Sequence, residues 1–318
     1  MVQKIIVHKA LVTTYKGYNI EKTNLEMAMD NNKPERLKVR YHSESAEKMN
    51  LMLSELSLNT VCKEAFCPNI NECFQKKTAT FMIMGKNCTR HCRYCAVSKG
   101  VILPLDPEEP ENVAVAAKTL GLKHIVITSV TRDDLEDGGA LHFAKTVQAV
   151  KSAMPGSTVE ILIPDMGGKK QNLDRIIASE PDVINHNIET VPSLYAEVRP
   201  EANYHTSLSV LKYVKDVAPE VISKTGIMVG LGEKKEEVLS VMDDLVEIDC
   251  DIFTIGQYLR PSGKHIKVEE YISPEMFAEY KKFGEQKGIR YVASGRLVRS
   301  SYKALEAINK IRENVSSI

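Results

Sequence analysis

Short apolar runs alternate with helical patterns over most of the chain after residue 78, and this alternation constrains the fold more than any other feature. Alternating strands and helices predict βαβ units and a parallel sheet. The pattern allows an open doubly wound sheet or an incomplete barrel, and either one places ligand sites beyond the carboxyl ends of the strands. The strand-like runs are residues 79–84, 124–129, 158–163, 182–187, 225–229 and 252–256, with a seventh at 290–293 before the C-terminal tail.

Helical patterns fill the segments between these runs. Asp106 and Gly121 mark the start and stop of the first helix, and Ser273 precedes Pro274 at the start of the last. A further amphipathic helix is predicted at residues 46–56, ahead of the first strand. The helices predicted between strands are residues 108–120, 140–150, 236–248 and 274–286.

The composition narrows the class of protein. The chain has 318 residues, of which 43% are hydrophobic, and this suffices for a substantial core. Lys and Arg together number 42, as do Asp and Glu, so we expect neither nucleic acid nor a membrane as a partner. No apolar stretch approaches the length of a membrane span. Lys4 and Lys9 interrupt the apolar N-terminus, so we expect no secretory signal, and we expect the protein in the cytoplasm or, alternatively, an organelle matrix.

Six of the seven cysteines form two closely spaced triads, and only residues 74–87 lie between them. In a reducing compartment such crowding indicates metal binding rather than disulfides. Cys250 is the seventh cysteine, and its apolar neighbours predict an ordinary buried thiol. The first triad is Cys62, Cys67 and Cys73, spaced C-x4-C-x5-C, and the second triad is Cys88, Cys92 and Cys95, spaced C-x3-C-x2-C.

The second triad follows directly on the first strand, so it is expected in a loop at the carboxyl edge of the sheet. Three thiolates there can hold three irons of a cubane cluster and leave the fourth iron open to a substrate or cofactor. The alternative is a zinc site completed by His91, although zinc sites usually pair C-x2-C with a distant second pair. The first triad has a less specific spacing, and its proximity to the second predicts a second cluster.

The second triad, with Tyr94 before its last cysteine, resembles the motif of radical S-adenosylmethionine (SAM) enzymes. More narrowly, the chain from about Lys33 onward resembles lipoyl synthases. The matching text is VCKEAFCPN at residues 61–69, TATFM at 78–82, VTRDDLEDGG at 130–139, NHNIETVP at 185–192, VRP at 198–200, GQYLRPS at 256–262 and ASGRLVRSSY at 293–302.

This resemblance implies a particular α/β fold, a partial (β/α)6 barrel whose N-terminal and C-terminal extensions carry an auxiliary cluster. It divides the chain into a variable extension at residues 1–32, an auxiliary-cluster segment at 33–77, the radical SAM barrel at 78–288 and a C-terminal segment at 289–318 with the RSSY motif.

The resemblance also implies two [4Fe–4S] clusters. Cys88, Cys92 and Cys95 are then catalytic, because they hold the cluster that cleaves SAM to a 5′-deoxyadenosyl radical. The first triad holds an auxiliary cluster that is completed by Ser301 and sacrificed as the sulfur source. An alkoxide is a harder and rarer iron ligand than a thiolate, so we hypothesise that it eases release of this iron. Without the resemblance, Ser300 and Ser301 would be read as a helix N-cap ahead of residues 302–311.

Other cofactor-binding residues are expected around SAM. Tyr94 is predicted to lie against the adenine, and Tyr258 follows the sixth strand. Ser129, Asn187 and Glu189 end the second and fourth strands, where polar groups could meet the methionyl or ribose groups. A glycine motif at residues 226–233 resembles a radical-enzyme adenine motif, and its alternative is a loop that closes a strand. The acidic residues 133–137 look like a turn into a helix, and neither His91 nor His186 is assigned a ligand role.

The activity implied is that of a sulfurtransferase, which inserts two sulfur atoms at carbons 6 and 8 of an octanoyl-lysine. The partners implied are octanoylated lipoyl carrier domains of 2-oxoacid dehydrogenase complexes or the glycine-cleavage H protein, an electron donor such as ferredoxin or flavodoxin, and an iron–sulfur carrier. One alternative is another two-cluster radical SAM sulfur-inserting enzyme, such as a methylthiotransferase, which would be expected to carry an RNA-binding module. A non-enzymatic metal-binding scaffold would leave the βα repeat and the tail unexplained.

Overall fold

The computed structural model describes residues 53, 55–64, 67, 69, 72, 73 and 79–315. The N-terminal extension predicted at residues 1–32 lies outside the described residues, as does most of the helix predicted at 46–56.

One eight-stranded sheet forms the centre of the described chain. The strands β1 and β2 are antiparallel, and every later pair of neighbours is parallel. The strands are β1 (Asn59–Thr60), β2 (Thr80–Ile83), β3 (His124–Ser129), β4 (Thr158–Leu162), β5 (Val183–Asn185), β6 (Ile222–Val229), β7 (Ile252–Gln257) and β8 (Tyr291–Gly295).

The strands lie in the sheet in the order in which they occur in the chain. A doubly wound sheet would reverse its order at a switch point, and this one does not. Right-handed crossovers in one direction place the helices on a single face, so the sheet curves around its other face as in a barrel. Within the described residues, β8 pairs only with β7, so the barrel is open. The predicted partial barrel is confirmed. The seventh apolar run, predicted at residues 290–293, forms β8 and adds a further parallel strand.

The helices cover the outer face of the sheet. Gly121 ends the first long helix in a left-handed conformation, and the Ser273 side chain accepts a hydrogen bond from the Met276 N–H, so these two predicted helix signals are confirmed. The cap predicted at Asp106 is wrong, because Glu108 is the N-cap and Asp106 accepts from the Glu108 N–H at 2.9 Å, one turn ahead of the helix. No helix of the described residues is long and apolar enough to cross a membrane. The helices are α1 (Val61–Glu64), α2 (Glu109–Leu120), α3 (Ala140–Ala153), α4 (Lys170–Ile177), α5 (Tyr195–Val198), α6 (Tyr204–Val217), α7 (Lys235–Glu247), α8 (Pro274–Lys287) and α9 (Ala304–Val315).

Alternate residues of the strands face either the helices or the inside of the barrel. Outward residues such as Ile127 and Ile161 pack with the helices in the main hydrophobic core. The inward residues include several polar side chains that are almost completely buried: His124, Glu160, Asn185 and Lys224. The inside of the barrel is therefore a hydrogen-bonded polar interior rather than a second hydrophobic core.

The chain after β8 returns along the inside of the sheet. A side chain on the inward-facing Gly256 would come within 2.3 Å of the Val298 carbonyl oxygen, so the returning segment passes directly over this glycine. The segment ends in α9, which lies at the amino end of the barrel. There Ala307, Ile308 and Ile311 pack against the first residues of three strands, Val183, Ile222 and Ile252.

Gly256 is expected to be intolerant of even one added methyl group. Gly256→Ala should lower the free energy of unfolding by about 2 kcal/mol, because the backbone of Val298 must move to admit the Cβ. Gly263→Ala is the matched control, since its Cβ would meet nothing within 4 Å. Urea unfolding followed by circular dichroism compares the two, and equal stability of both variants would contradict the path described for the tail.

Candidate functional site

The loop that carries the second triad lies across the carboxyl ends of the strands, as predicted. Its Thr89 N–H donates to the Thr131 carbonyl, beyond β3, at 3.1 Å. The Arg93 N–H donates to Val198 O, beyond β5, at 3.0 Å, and Arg93 O accepts from the Ile266 N–H, beyond β7, at 3.1 Å. Backbone hydrogen bonds from three other loops therefore fix the position of the cysteines.

Arg90, between the first two cysteines of this triad, anchors the loop to the barrel. Its guanidinium donates to both carboxylate oxygens of Asp165 at 2.6 and 2.8 Å, and to both oxygens of Asp133 at 2.8 and 2.9 Å. Arg90 is 8% exposed and Asp165 is 3% exposed. Burial alone would raise the pKa of Asp165, but the hydrogen bonds and charge of Arg90 lower it. Such bidentate ion pairs are strong and geometrically specific.

The remaining acidic residues of the VTRDDLEDGG segment build a turn. Asp134 accepts two hydrogen bonds from Arg132, both at 2.8 Å. Asp137 accepts from the N–H groups of Gly139 and Leu141 at 2.9 Å, where α3 begins. These contacts agree with the predicted turn into a helix.

Burial disfavours the thiolate form of four cysteines in the two triads. Burial raises the pKa of Cys62 and of Cys95 to about 11, and it also raises the pKa of Cys67 and Cys92. A metal binds the thiolate, so loading either triad must expel protons. Cys88 lies against backbone donors, since its Sγ accepts from the N–H of Thr131 at 3.3 Å.

No group of three or more His, Cys, Asp or Glu side chains among the described residues is arranged around a single metal ion. His186 has no part in such a site. Its ring nitrogens contact the Ile163 carbonyl and the Ser207 hydroxyl, and burial lowers its pKa to about 4.

Tyr94, Asn187 and Glu189 lie together next to the second triad. The side chains of Tyr94 and Asn187 lie close enough to the carboxylate of Glu189 to stabilise its charge. The backbone of Glu189 runs beside β6, and its carbonyl accepts from the Met228 N–H at 2.9 Å. Burial raises the pKa of Glu189, while the charge of Arg199 opposes the shift.

Ser129, Tyr258 and the glycine motif, which were also predicted to bind the cofactor, differ in their hydrogen-bond partners. The Ser129 hydroxyl is buried and has no hydrogen-bond partner among the described residues. Tyr258 is 1% exposed, and its hydroxyl donates to the Ile266 carbonyl at 2.8 Å, so it supports the loop of the second triad. In the glycine motif, the Glu233 carboxylate accepts from the N–H groups of Gly230 and Leu231 at 2.6 and 2.9 Å, which closes the turn.

Arg199 was assigned no role from the sequence, although it belongs to this site. It is 7% exposed, and its Nη1 donates to the carbonyls of Asn187 and Ile188 at 2.9 and 3.0 Å. Its Nε is buried without a partner among the described residues. The VRP text matched the family, but a buried arginine cannot be distinguished from an exposed one by sequence alone.

The first triad lies next to the C-terminal RSSY motif. The Asn69 side chain donates to the Leu297 carbonyl at 2.7 Å, and the Tyr302 hydroxyl donates to Glu72 at 3.3 Å. Burial raises the pKa of Cys67 and the charge of Arg299 opposes this, so the cysteine and the arginine are close enough to interact. Residues more than two hundred positions apart in sequence are therefore neighbours.

The two serines of the motif have different environments. The Ser300 hydroxyl accepts from the Asn185 amide at 2.6 Å and donates to Asn187 Oδ1 at 3.1 Å. The hydroxyl of Ser301 forms no hydrogen bond with another residue that the structure describes. The helix α9 begins at Ala304, so neither serine immediately precedes it as an N-cap would.

Solved structures share this fold at low sequence identity. HydG, described as a maturase of the [FeFe]-hydrogenase, aligns with a TM-score of 0.54 at 14% identity, over 92% of this chain and 70% of that chain. Methylornithine synthase (PylB) aligns with a TM-score of 0.51 at 14% identity, over 87% and 90%. The model of the radical SAM superfamily matches residues 82–245. Fold and cysteine loop thus define a radical SAM enzyme, which uses SAM and a [4Fe–4S] cluster.

Relatives of known function narrow the class further. The chain is 59% identical to the lipoyl synthase of Caldanaerobacter subterraneus subsp. tengcongensis over 86% of its own length and 95% of the relative. It is 53% identical to the lipoyl synthase of Alkaliphilus metalliredigens over 88% and 97%. The chain therefore belongs to the lipoyl synthase family of sulfur-inserting radical SAM enzymes.

Removal of Arg90 should destabilise the protein far more than removal of its neighbour Arg93. Arg90→Ala leaves the buried Asp165 unpaired and is expected to cost about 3 kcal/mol of unfolding free energy. Arg93→Ala is the matched control, because its ion pair with Glu197 is exposed and contributes at most about 1 kcal/mol.

Urea unfolding of anaerobically prepared protein measures the loss of unfolding free energy in both variants. The iron content of each variant reports whether the loop of the second triad is still intact. Equal losses of stability in the two variants would show that Arg90 does not anchor it.

Proposed function

We propose that the two triads hold two [4Fe–4S] clusters with different tasks in lipoyl formation. The second triad, Cys88, Cys92 and Cys95, holds the cluster whose open iron binds SAM. The placement of this loop over the carboxyl ends of the strands, where barrel enzymes bind their ligands, is the observation that carries this assignment. When bound, this cluster supplies the electron that cleaves SAM to the 5′-deoxyadenosyl radical.

The polar group beside the second triad is the proposed SAM site. In this site Glu189 would accept hydrogen bonds from the ribose hydroxyls or the methionyl amine, and Asn187 would donate one to a ribose oxygen. The Nε of Arg199 is a buried donor without a partner in the described part of the chain, and a carboxylate such as that of the methionyl group would satisfy it. Tyr94 and Tyr258 belong to one apolar cluster that could flank the adenine, and Ser129 offers a free hydroxyl.

The first triad holds the proposed auxiliary cluster, with Ser301 as the ligand of the iron that lacks a cysteine. Contacts between the segment of the first triad and residues 297–302 support this assignment. The Ser300 hydroxyl is engaged by Asn185 and Asn187, whereas that of Ser301 has no partner among the described residues, and this difference supports Ser301 as the ligand. This cluster is the proposed sulfur source, and residues 33–77 and 289–318 are the proposed segments that carry it.

The substrate is an octanoylated carrier protein, as membership of the family implies. Two sulfur atoms are inserted at carbons 6 and 8 of the octanoyl chain on a carrier lysine. Removal of hydrogen from such unactivated carbons lies beyond acid–base catalysis, so a radical cofactor is required. We further propose a ferredoxin or flavodoxin as electron donor, an iron–sulfur carrier that restores the auxiliary cluster, and a cytoplasmic location.

Cysteine variants should separate the two tasks. Cys62→Ala should retain about four of about eight irons and still form 5′-deoxyadenosine, but yield no lipoyl product. Cys92→Ala should abolish both products, because no SAM-cleaving cluster remains. Cys250→Ala is the control, since this buried thiol belongs to neither triad.

Mass spectrometry of an octanoyl-lysine carrier peptide, incubated with SAM and reductant, measures lipoyl formation. Lipoyl product from Cys62→Ala would rule out the sulfur-donating role of the first triad. Zinc without sulfide in the wild-type protein would rule out both clusters.

Ser301 should be needed for sulfur insertion but not for SAM cleavage. Ser301→Ala is expected to lower the yield of lipoyl product at least about tenfold, because the auxiliary iron loses its only non-thiolate protein ligand. Formation of 5′-deoxyadenosine, measured by chromatography in the same reactions, should persist. Unchanged lipoyl yield would show that the hydroxyl does not bind iron.

A further inference from the structure

A chain of hydrogen bonds inside the barrel connects a buried ion pair with the RSSY motif. Lys224 Nζ donates to both carboxylate oxygens of Glu160 at 2.8 and 3.0 Å, and His124 Nε2 lies 3.3 Å from the same carboxylate. Glu160 is fully buried and Lys224 is 1% exposed. The proposed chemistry uses none of these three residues.

The charge on Glu160 sets the direction of every hydrogen bond that follows. Burial alone would raise its pKa, but Lys224 and His124 hold the pKa at about 2, so the carboxylate only accepts hydrogen bonds. The amide of Asn185 must therefore turn its Nδ2 towards Glu160, to which it donates at 3.1 Å. The orientation of an asparagine amide is often ambiguous, and here the carboxylate decides it.

The second hydrogen of Asn185 Nδ2 is donated to the Ser300 hydroxyl oxygen at 2.6 Å. Ser300 accepts this hydrogen, so its own hydrogen is free to be donated, and Asn187 Oδ1 lies 3.1 Å away to accept it. Asn187 is itself a residue of the proposed SAM site, where it lies close to Glu189. One directed series of hydrogen bonds thus runs from the interior of the barrel through Ser300 to the SAM site.

Ser300 is also adjacent in sequence to Ser301. Consecutive Cα atoms are about 3.8 Å apart, so a Ser300 hydroxyl held by two asparagines of the barrel wall anchors the chain one residue away from Ser301. The inward-facing Gly256, with the Val298 carbonyl packed against it, restricts the same segment from the other side. Ser300 is therefore the anchor nearest to Ser301 on the side of Asn187.

We propose that Ser300 is a positioning residue, which holds Ser301 and the auxiliary cluster at a fixed place relative to bound SAM. The proposal rests on the assignment of Ser301 as a cluster ligand and adds no chemical step to the reaction. A carbon radical that forms near SAM must meet sulfur before it is quenched, so the distance between the two sites controls how many radicals become product. Loss of the Ser300 hydroxyl should leave radical formation intact, but more of the carbon radicals should be quenched before they meet sulfur.

The test compares Ser300→Ala with wild type, using anaerobically reconstituted full-length protein, SAM, reductant and an octanoyl-lysine carrier peptide. Ser300→Ala should keep about eight irons per chain. It should form 5′-deoxyadenosine within about twofold of the wild-type rate, while the lipoyl product per 5′-deoxyadenosine falls about tenfold or more. Hydrogen–deuterium exchange of residues 296–303 should become faster, which is a readout independent of activity.

Two further variants and a control sharpen the test. Ser300→Thr keeps the hydroxyl and should restore most of the lipoyl yield per 5′-deoxyadenosine. Asn185→Leu breaks the same series from the barrel side while Lys224 still neutralises Glu160, so it should uncouple the reaction even if Ser300→Ala does not fold. Ser209→Ala, on the surface of α6, removes a hydroxyl that bonds only the Thr206 carbonyl and should change nothing.

A wild-type ratio of products in Ser300→Ala or Asn185→Leu would overturn the proposal. So would loss of about four irons from Ser300→Ala, because Ser300 would then be needed for cluster assembly rather than for its position. Failure of the proposed function would look different. The wild-type protein would form no lipoyl product, or Ser301→Ala would match the wild type.

Discussion

The parallel pairing of β2 to β8 in chain order is the constraint on which the rest of the structure depends. Because every one of these strands runs in the same direction, all of their carboxyl ends meet at one rim. The loop of the second triad follows β2 and bonds to loops beyond β3, β5 and β7, so its cysteines are fixed by several strands at once. Arg90 adds a buried ion pair that joins this loop to Asp133 and Asp165.

The C-terminal segment lies over the inner face of the sheet and joins the segment of the first triad to the barrel. Small and polar residues on the inner face make room for it, as Gly256 does beneath Val298. Its Ser300 is held by Asn185 and Asn187, while its flanks contact the segment of the first triad through Leu297 and Tyr302. A short tail thereby contacts both the segment of the first triad and Asn187 of the proposed SAM site.

Much of this fold could be predicted from the sequence, because the residues of buried parallel strands form short apolar runs. The strand at His124–Ser129 was predicted to the residue, and Ile252–Gln257 to within one. The helices Lys170–Ile177 and Tyr204–Val217 were not predicted, although the Asn203 side chain caps the second by accepting from the Thr206 N–H. Both helices have their buried residues at helical spacing, as at Leu173 and Ile176 and at Val210, Leu211 and Val214, so the signal for them is present in the sequence.

The residues of the site could be predicted from the sequence only where they lie close together in the chain, as in a short motif. The second triad lies in one loop, so the spacing of its cysteines is enough to indicate a cluster site. Arg199 and the Ser300 contacts depend on how distant segments meet, and no local pattern marks them. Ser300 and Asn185 are separated by 115 positions and touch only because the tail returns through the barrel.

The origin of the inserted sulfur tests the central claim of two unequal clusters most directly. Protein reconstituted with ³⁴S-labelled sulfide, freed of unbound sulfide and given one turnover with an octanoyl-lysine carrier peptide, can be analysed by the mass of its product. The account predicts that both sulfur atoms of the lipoyl group carry the label and that this product is absent from Cys62→Ala. In a parallel reaction with unlabelled sulfide added to the buffer, a lipoyl product without the label would contradict the account.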